Sequence, residues 1–322
     1  MQLTIAIPFR PSYGGLTSPN SPLRQREDLH WVYTKDGEEH IWGRHPNDDL
    51  YRCLKSLQKN SFYKHDIVVV IDSDLSLNEE KIKEFGDNIR IFRADNSDCH
   101  SGQAKQITAL NQLAESMDDN DMLGQCFIAD CVASKNWDIS LIKLIERFGD
   151  NHVYVPMFVE ARTEKSRANI NLYSISSPEQ EKNRISFDDE VKSMSQQTTD
   201  NIWNKWRKTI CCHSLTIRPI EGRYYFTEKD MDDFVVTAKG FNKEYIEEPL
   251  GSRDYGYWSP LCAKSIKFKQ TFKNMPMSTG WDLYLDNNIP VKSKIVDTKS
   301  FVFHFHSQLH LDDIEVEHNP EQ

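Results

Sequence analysis

The sequence predicts an α/β domain: a mostly parallel central sheet flanked by helices. Three observations predict it. Ile67-Val68-Val69-Val70-Ile71 is a continuous apolar run, and a strand without polar alternation is one buried on both faces, as in a parallel sheet. Strand-like and helix-like stretches alternate over about the first 150 residues. Polar residues stop three of the strands, at Pro8-Phe9-Arg10, Asp72-Ser73-Asp74 and Asp130.

The elements follow in order. Thr4-Ile5-Ala6-Ile7 reads as a buried strand with an abrupt exit at Pro8. Residues 11–46, rich in Pro, Ser, Gly and charge, read as a long loop, and loops of that length are usually functional or mobile. Asn47 and Asp48 are candidate caps for a helix with Leu50, Leu54 and Leu57 on one face. The 67–71 strand follows, then a helix over 79–85 and a strand at Ile89-Arg90-Ile91-Phe92. Ser101-Gly102 opens a helix with Ile107, Leu110, Leu113 and Ala114 inward. Cys126-Phe127-Ile128-Ala129 reads as a strand ending at Asp130. An amphipathic helix spans Trp137 and Phe148, and His152-Val153-Tyr154-Val155-Pro156 is the next strand.

The second half is less regular. Residues 160–202 are polar with few periodic apolar positions, and read as an insertion or lid. Leu215-Thr216-Ile217 and Phe234-Val235-Val236 read as strands. Residues 301–306 show strict alternation, with Phe301, Phe303 and Phe305 on one side and Val302, His304 and His306 on the other. The expectation is one domain over 1–310, in two halves at 1–132 and 133–310, followed by a disordered acidic tail at 311–322.

Composition narrows the class. The 322 residues carry a formal charge of −10, which argues against broad nucleic-acid binding. Apolar residues make up 38%, a normal core supply, and 13 Gly with 13 Pro are too few for a collagenous or mainly disordered chain. No apolar run approaches the roughly 18 residues that span a bilayer. The opening residues lack a basic region and read as a strand, against a secretory leader, so a cytoplasmic protein is expected. The seven cysteines are odd in number and form no CxxC pair, which fits reduced core thiols.

In open α/β sheets ligands collect beyond the carboxyl ends of the strands. If the strands are parallel neighbours, Arg10, Asp72 and Asp130 converge on one crevice; singly, an Asp after a strand is more often a turn cap. Trp203-Asn204-Lys205-Trp206-Arg207-Lys208 reads either as a helix end with both indoles packed inward or as a stacking platform for an acceptor.

These residues reach a resemblance. Thr4-Ile5-Ala6-Ile7-Pro8-Phe9-Arg10, then Cys53-Leu54-Lys55-Ser56-Leu57, then Val69-Val70-Ile71-Asp72 resemble the opening of family 2 type glycosyltransferases of the GT-A fold. Ser101-Gly102-Gln103-Ala104-Lys105 is similar to that family's helix start near the nucleotide. Phe127-Ile128-Ala129-Asp130 resembles the strand leading to the metal-binding Asp-x-Asp motif. Gly240-Phe241-Asn242-Lys243-Glu244, Arg253-Asp254 and Val302-Phe303-His304-Phe305-His306 resemble the family's later motifs. The likeness covers residues 3–307 apart from 11–46 and 160–202.

The resemblance implies a Rossmann-like nucleotide-diphospho-sugar transferase fold and an inverting hexosyl- or pentosyltransferase. Asp254 would be the catalytic base. Pro8, Phe9, Arg10, Asp72, Gly102 and Lys105 would meet the nucleotide-sugar donor, Asp72 at the base or ribose. A divalent metal would sit at Asp130 with His304 or His306; His304 is preferred. Manganese suits imidazole better than magnesium does. The sequence departs from the pattern in two places: Asp-x-Asp survives only as Asp130, and the Glu expected before the base is Arg253. The acceptor stays open among a carbohydrate, a small molecule and a modified DNA base. The competing classes are a nucleotidyltransferase and a non-catalytic binding protein on the same scaffold.

Overall fold

The computed structural model describes residues 1–10, 23–25, 31–35, 37–42, 45–73, 75–99, 101–125, 128–163, 213–217, 219–220, 223–225, 228–238, 244–251, 261–277, 281–304 and 314–315. Its strands are β1 (Thr4–Pro8), β2 (Leu23–Gln25), β3 (Trp31–Lys35), β4 (Glu38–Trp42), β5 (Asp66–Asp72), β6 (Ile89–Ala94), β7 (Met122–Gln125), β8 (Cys131–Ala133), β9 (His152–Thr163), β10 (His213–Ile217), β11 (Pro219–Ile220), β12 (Arg223–Tyr225), β13 (Tyr245–Glu248), β14 (Leu261–Lys264), β15 (Ser293–His304) and β16 (Ile314–Glu315). Its helices are α1 (Pro46–Asn60), α2 (Glu79–Lys83), α3 (Gly102–Glu115), α4 (Trp137–Phe148), α5 (Glu228–Ala238), α6 (Ser265–Phe272) and α7 (Trp281–Asn288).

The architecture is α/β. Among the described residues the main sheet runs β13-β15-β9-β14-β7-β1-β5-β6, with β10 beside β9 and β8 beside β15. β1 pairs in parallel with β5 and β7, β5 with β6, and β9 with β10 and β15. β14 runs antiparallel between β7 and β9, so β9 and β15 point the same way as β1. The sheet is therefore mixed, with its main strands sharing one direction, and it draws strands from both halves of the chain.

The unbroken apolar strands are explained by cover on both faces. Ile5, Ile7, Ile67, Val69 and Ile71 pack with Leu50, Leu54 and Leu57 of α1 and with Trp137, Leu141 and Leu144 of α4. The intervening Ala6, Val68 and Val70 pack on the other side with Ile107, Leu110 and Leu113 of α3, Phe268 of α6 and Leu285 of α7. At about 25 cal/mol per Å2 of apolar surface, burying these side chains dominates the stability of the fold.

Several local readings are corrected. Residues 11–46 are not one long loop: β2, β3 and β4 form a three-stranded antiparallel sheet. The N-cap of α1 is His45, whose Nδ1 accepts the Asn47 N–H, with Pro46 at the first turn. The strand expected at 126–129 lies earlier, as β7, and Asp130 stands in the turn before β8. Phe234-Val235-Val236 is helical. Met231, Phe234 and Val235 are buried at helical spacing, and Phe234 meets the rings of Phe301 and Phe303 edge-on. That contact also accounts for the two sides of β15: Phe301 and Phe303 face α5 while Val302 joins the core on the other side, as the alternation predicts, and all three are buried. Ile314–Glu315, expected to be disordered, pairs with β12. The polar stretch 160–202 loses its first residues to β9, which runs to Thr163. Cys53, Cys99, Cys131 and Cys262 are free thiols. Among the described residues no helix is long and apolar enough to cross a membrane.

Candidate functional site

The order of the parallel strands creates the site. From β1 the chain steps outward to β5 and β6, then returns across the sheet to β7 on the other side of β1. The strand order thus reverses between β1 and β7, and such switch points open a crevice at the carboxyl ends of the strands. Arg10 follows β1, Asp72 ends β5, and Asp130 follows β7. His304 ends β15, which shares their direction, so all four come out at one edge.

Two groupings stand there. In the first, the Asp72 carboxylate is 3.6 Å from Nε of Arg10 through Oδ2, while its Oδ1 accepts the Asn96 amide N–H at 2.8 Å. Asn96 is buried and also donates to the carbonyl of Lys105, at 3.0 Å. Its own oxygen accepts the backbone N–H of Ser73 at 3.2 Å. The ends of β5 and β6 are thereby tied to the first turn of α3. Ser101 caps that helix, its hydroxyl accepting the Ala104 N–H at 3.1 Å. The amino end of α3, which carries a partial positive charge, and the Arg10 guanidinium paired with Asp72 stand together on this side.

In the second, Nε2 of His304 lies 3.2 Å from Oδ2 of Asp130. The two side chains are 10% and 13% exposed, enough to reach a ligand and too little to be freely solvated. Phe158 packs on the imidazole, with ring centroids 5.1 Å apart. Cys53 on α1 lies within the influence of Asp130: burial pushes its thiol well up, and the Asp130 charge pushes it further. That thiol stays protonated and is no nucleophile.

The Asp130–His304 pair has the spacing of two of the six ligands around an octahedral divalent cation. Two cis ligands each about 2.1 Å from an ion stand about 3.0 Å apart, close to the separation seen. Among the described residues no group of three or more His, Cys, Asp and Glu side chains is arranged to hold a metal, so phosphate oxygens or water would have to complete the shell.

The expected site residues divide as follows. Arg10 and Asp72 meet, and Asn96 bridges Asp72 to the backbone of Lys105. Asp130 and His304 meet. Gly102 is the first residue of α3. Pro8 pairs with Val70 at the end of β1 and is half-buried, but the Phe9 ring packs into the core. Asp254, His306 and the 203–208 cluster lie outside the described residues. Asn96 and Phe158 were not picked out from the sequence. Asn96 carried the signal that marked Asp72 and Asp130, a short polar residue just past a strand.

No protein-family model matches the sequence, and no curated protein matches it.

Proposed function

We propose that the protein is a glycosyltransferase that moves a sugar from a nucleoside-diphosphate sugar to a hydroxyl acceptor. The observation that carries this reading is the Arg10–Asp72–Asn96–α3 grouping beside the switch point, with the Asp130–His304 pair on the same edge. The resemblance to family 2 glycosyltransferases supplies the reaction; the gathering of Arg10, Asp72, Asp130 and His304 at one edge of the sheet supports the place assigned to the donor.

Each group then has a task. Asp72 accepts hydrogen bonds from the base or the ribose hydroxyls. Arg10, Lys105 and the amino end of α3 attract the diphosphate. Asp130 and His304 would hold a divalent cation, manganese before magnesium, which would neutralise charge growing on the leaving diphosphate. Asp254, assigned by resemblance, would take the proton of the acceptor hydroxyl as its oxygen bonds to the anomeric carbon. The carbon–oxygen bond to the diphosphate breaks with its electron pair leaving on the phosphate, and a single displacement inverts the anomeric centre.

The test is thermal unfolding against a panel of nucleoside-diphosphate sugars, with and without manganese. Ligand at a hundredfold over its Kd adds about 2.7 kcal/mol to the native state, a shift of several degrees. The reading expects at least one sugar nucleotide to stabilise, more so with manganese. It also expects Asp254→Ala to keep that stabilisation while losing turnover. No shift with any donor overturns it, and stabilisation by nucleoside triphosphates alone would favour a nucleotidyltransferase.

A further inference from the structure

We propose that Asn96 is the positioning residue of the crevice: it sets the affinity for the nucleoside by fixing the Asp72 carboxylate, without touching the ligand itself. The inference rests on the nucleotide-binding reading given above and adds a residue to it.

Asn96 is 2% exposed, and its hydrogen-bonding capacity is spent inside the protein. One amide hydrogen goes to Asp72 Oδ1 and the other to the Lys105 carbonyl, while the amide oxygen faces the N–H and hydroxyl of Ser73. The orientation of the amide is not arbitrary. A backbone N–H can only donate and a backbone carbonyl can only accept, so Ser73 and Lys105 between them fix which end is oxygen and which is nitrogen. The nitrogen must then point at Asp72. This leaves Asp72 with one oxygen committed to Asn96 and the other, Oδ2, on the Arg10 side. A carboxylate held in that way presents lone pairs to a nucleoside in one direction, and binding need not freeze it first.

A spectator role in folding and a positioning role predict different things. If Asn96 acts through Asp72, removing Asn96 should do nothing further once Asp72 is gone. If Asn96 only stabilises the fold, the two losses add, or binding is untouched.

An aspartate at position 96 gives a second discriminating signature. Its second oxygen would face Asp72 and the Lys105 carbonyl with no hydrogen between three acceptors. It would therefore take up a proton more readily than an ordinary carboxyl, since two adjacent carboxylates resist joint ionisation. The titratable group it meets is Asp72 on β5, with the Lys105 carbonyl and Ser73 completing its surroundings and Arg10 on the far, Oδ2 side of Asp72. Protonated, the new carboxyl has one hydrogen to give Asp72 in place of the two the amide shared between Asp72 and the Lys105 carbonyl; ionised, it repels Asp72. Binding by Asn96→Asp should then weaken as pH rises, against a flatter wild-type profile.

The experiment is calorimetric titration of uridine, guanosine, adenosine, cytidine and thymidine diphosphates into the wild type, Asn96→Ala, Asp72→Ala and the double variant. Asn96→Asp is titrated at pH 5.5 and pH 8. The expected result is a loss of about tenfold or more for Asn96→Ala. The double variant should be no weaker than Asp72→Ala, and Asn96→Asp should bind more weakly at the higher pH. Should Asn96→Ala fail to fold, the isosteric Asn96→Asp at the two pH values decides the matter. Additive losses, or pH-independent binding by Asn96→Asp, overturn the positioning role while leaving the nucleotide reading intact. A wild type that binds none of the five overturns that reading and this inference with it.

Discussion

Among the described residues two Asp–His pairs have nearly equal length, and their surroundings set them apart. Asp138 and His65 meet at 3.0 Å near the amino ends of β1 and β5, with side chains 0% and 1% exposed. Asp138 also accepts the backbone N–H groups of Phe62 and Tyr63, at 2.9 and 2.8 Å. Nδ1 of His65 accepts the N–H of Leu3, so in the neutral ring the hydrogen is on Nε2 and points at Asp138. The Trp137 ring lies against the imidazole. This pair knots the start of β1, the 61–65 turn and the first turn of α4 together. Asp130 and His304 meet at the carboxyl edge, partly open, with Phe158 on one side of the ring. An Asp–His pair enclosed by its own hydrogen-bond partners is a fastener, whereas the pair at the carboxyl edge is the one the proposed function gives to a ligand.

The sharpest way to break this contrast is Asp138→Ala. It strands three N–H donors in a closed space, and losing one partner of a buried pair costs about 3–5 kcal/mol. Denaturant unfolding should show a loss of that size; a loss below about 1 kcal/mol would mean that the pair is no fastener.

Acid titration sharpens it next. Burial pushes the Asp138 carboxyl up, but hydrogen bonds from His65, Phe62 and Tyr63 outweigh that and hold it below the ordinary aspartate range. The unfolded chain therefore binds this proton more readily. The stability that Asp138 contributes is present above the unfolded aspartate value, about pH 3.9, and disappears as pH falls through the folded value. Unfolding measured between pH 6 and pH 2.5 should fall more steeply for the wild type than for Asp138→Asn. Parallel curves would contradict the assignment.

At the open pair the expected effects on stability are smaller. Asp130→Asn and His304→Gln should each cost less stability than Asp138→Ala, yet remove the manganese-dependent part of stabilisation by a nucleotide sugar. A large loss of stability with metal dependence intact would make the two pairs alike. The smallest effect belongs to Arg10→Gln. This half-open ion pair at 3.6 Å should contribute under about 1 kcal/mol to folding, so the expected change is weaker diphosphate binding at an unchanged melting temperature.

How much of this was legible in the sequence depends on range. The β-branched run at 67–71 and the leucines of α1 identify themselves, because each segment's own pattern states how it is buried. Phe234-Val235-Val236 misled because three strand-forming residues outweighed the helical spacing from Met231, a signal that was present. The alternation at 301–304 gave the two sides of β15 correctly but not what covers them: α5, some 65 residues away in the chain, closes over Phe301 and Phe303. In the crevice, Asp72 and Asp130 were found because each ends or follows a strand. Asn96 was passed over, since its importance comes from three partners supplied by three separate segments. The Asp130–His304 contact crosses 174 positions and was anticipated only through the family likeness.

The central claim is that the carboxyl edge of the sheet receives the nucleotide while the amino edge only holds the fold together. Hydrogen exchange with and without a stabilising nucleotide sugar tests it most directly. The account predicts slower exchange in peptides covering 71–73 and 95–105, with 61–66 unchanged. Protection confined to 61–66, or spread evenly over both edges, would contradict it.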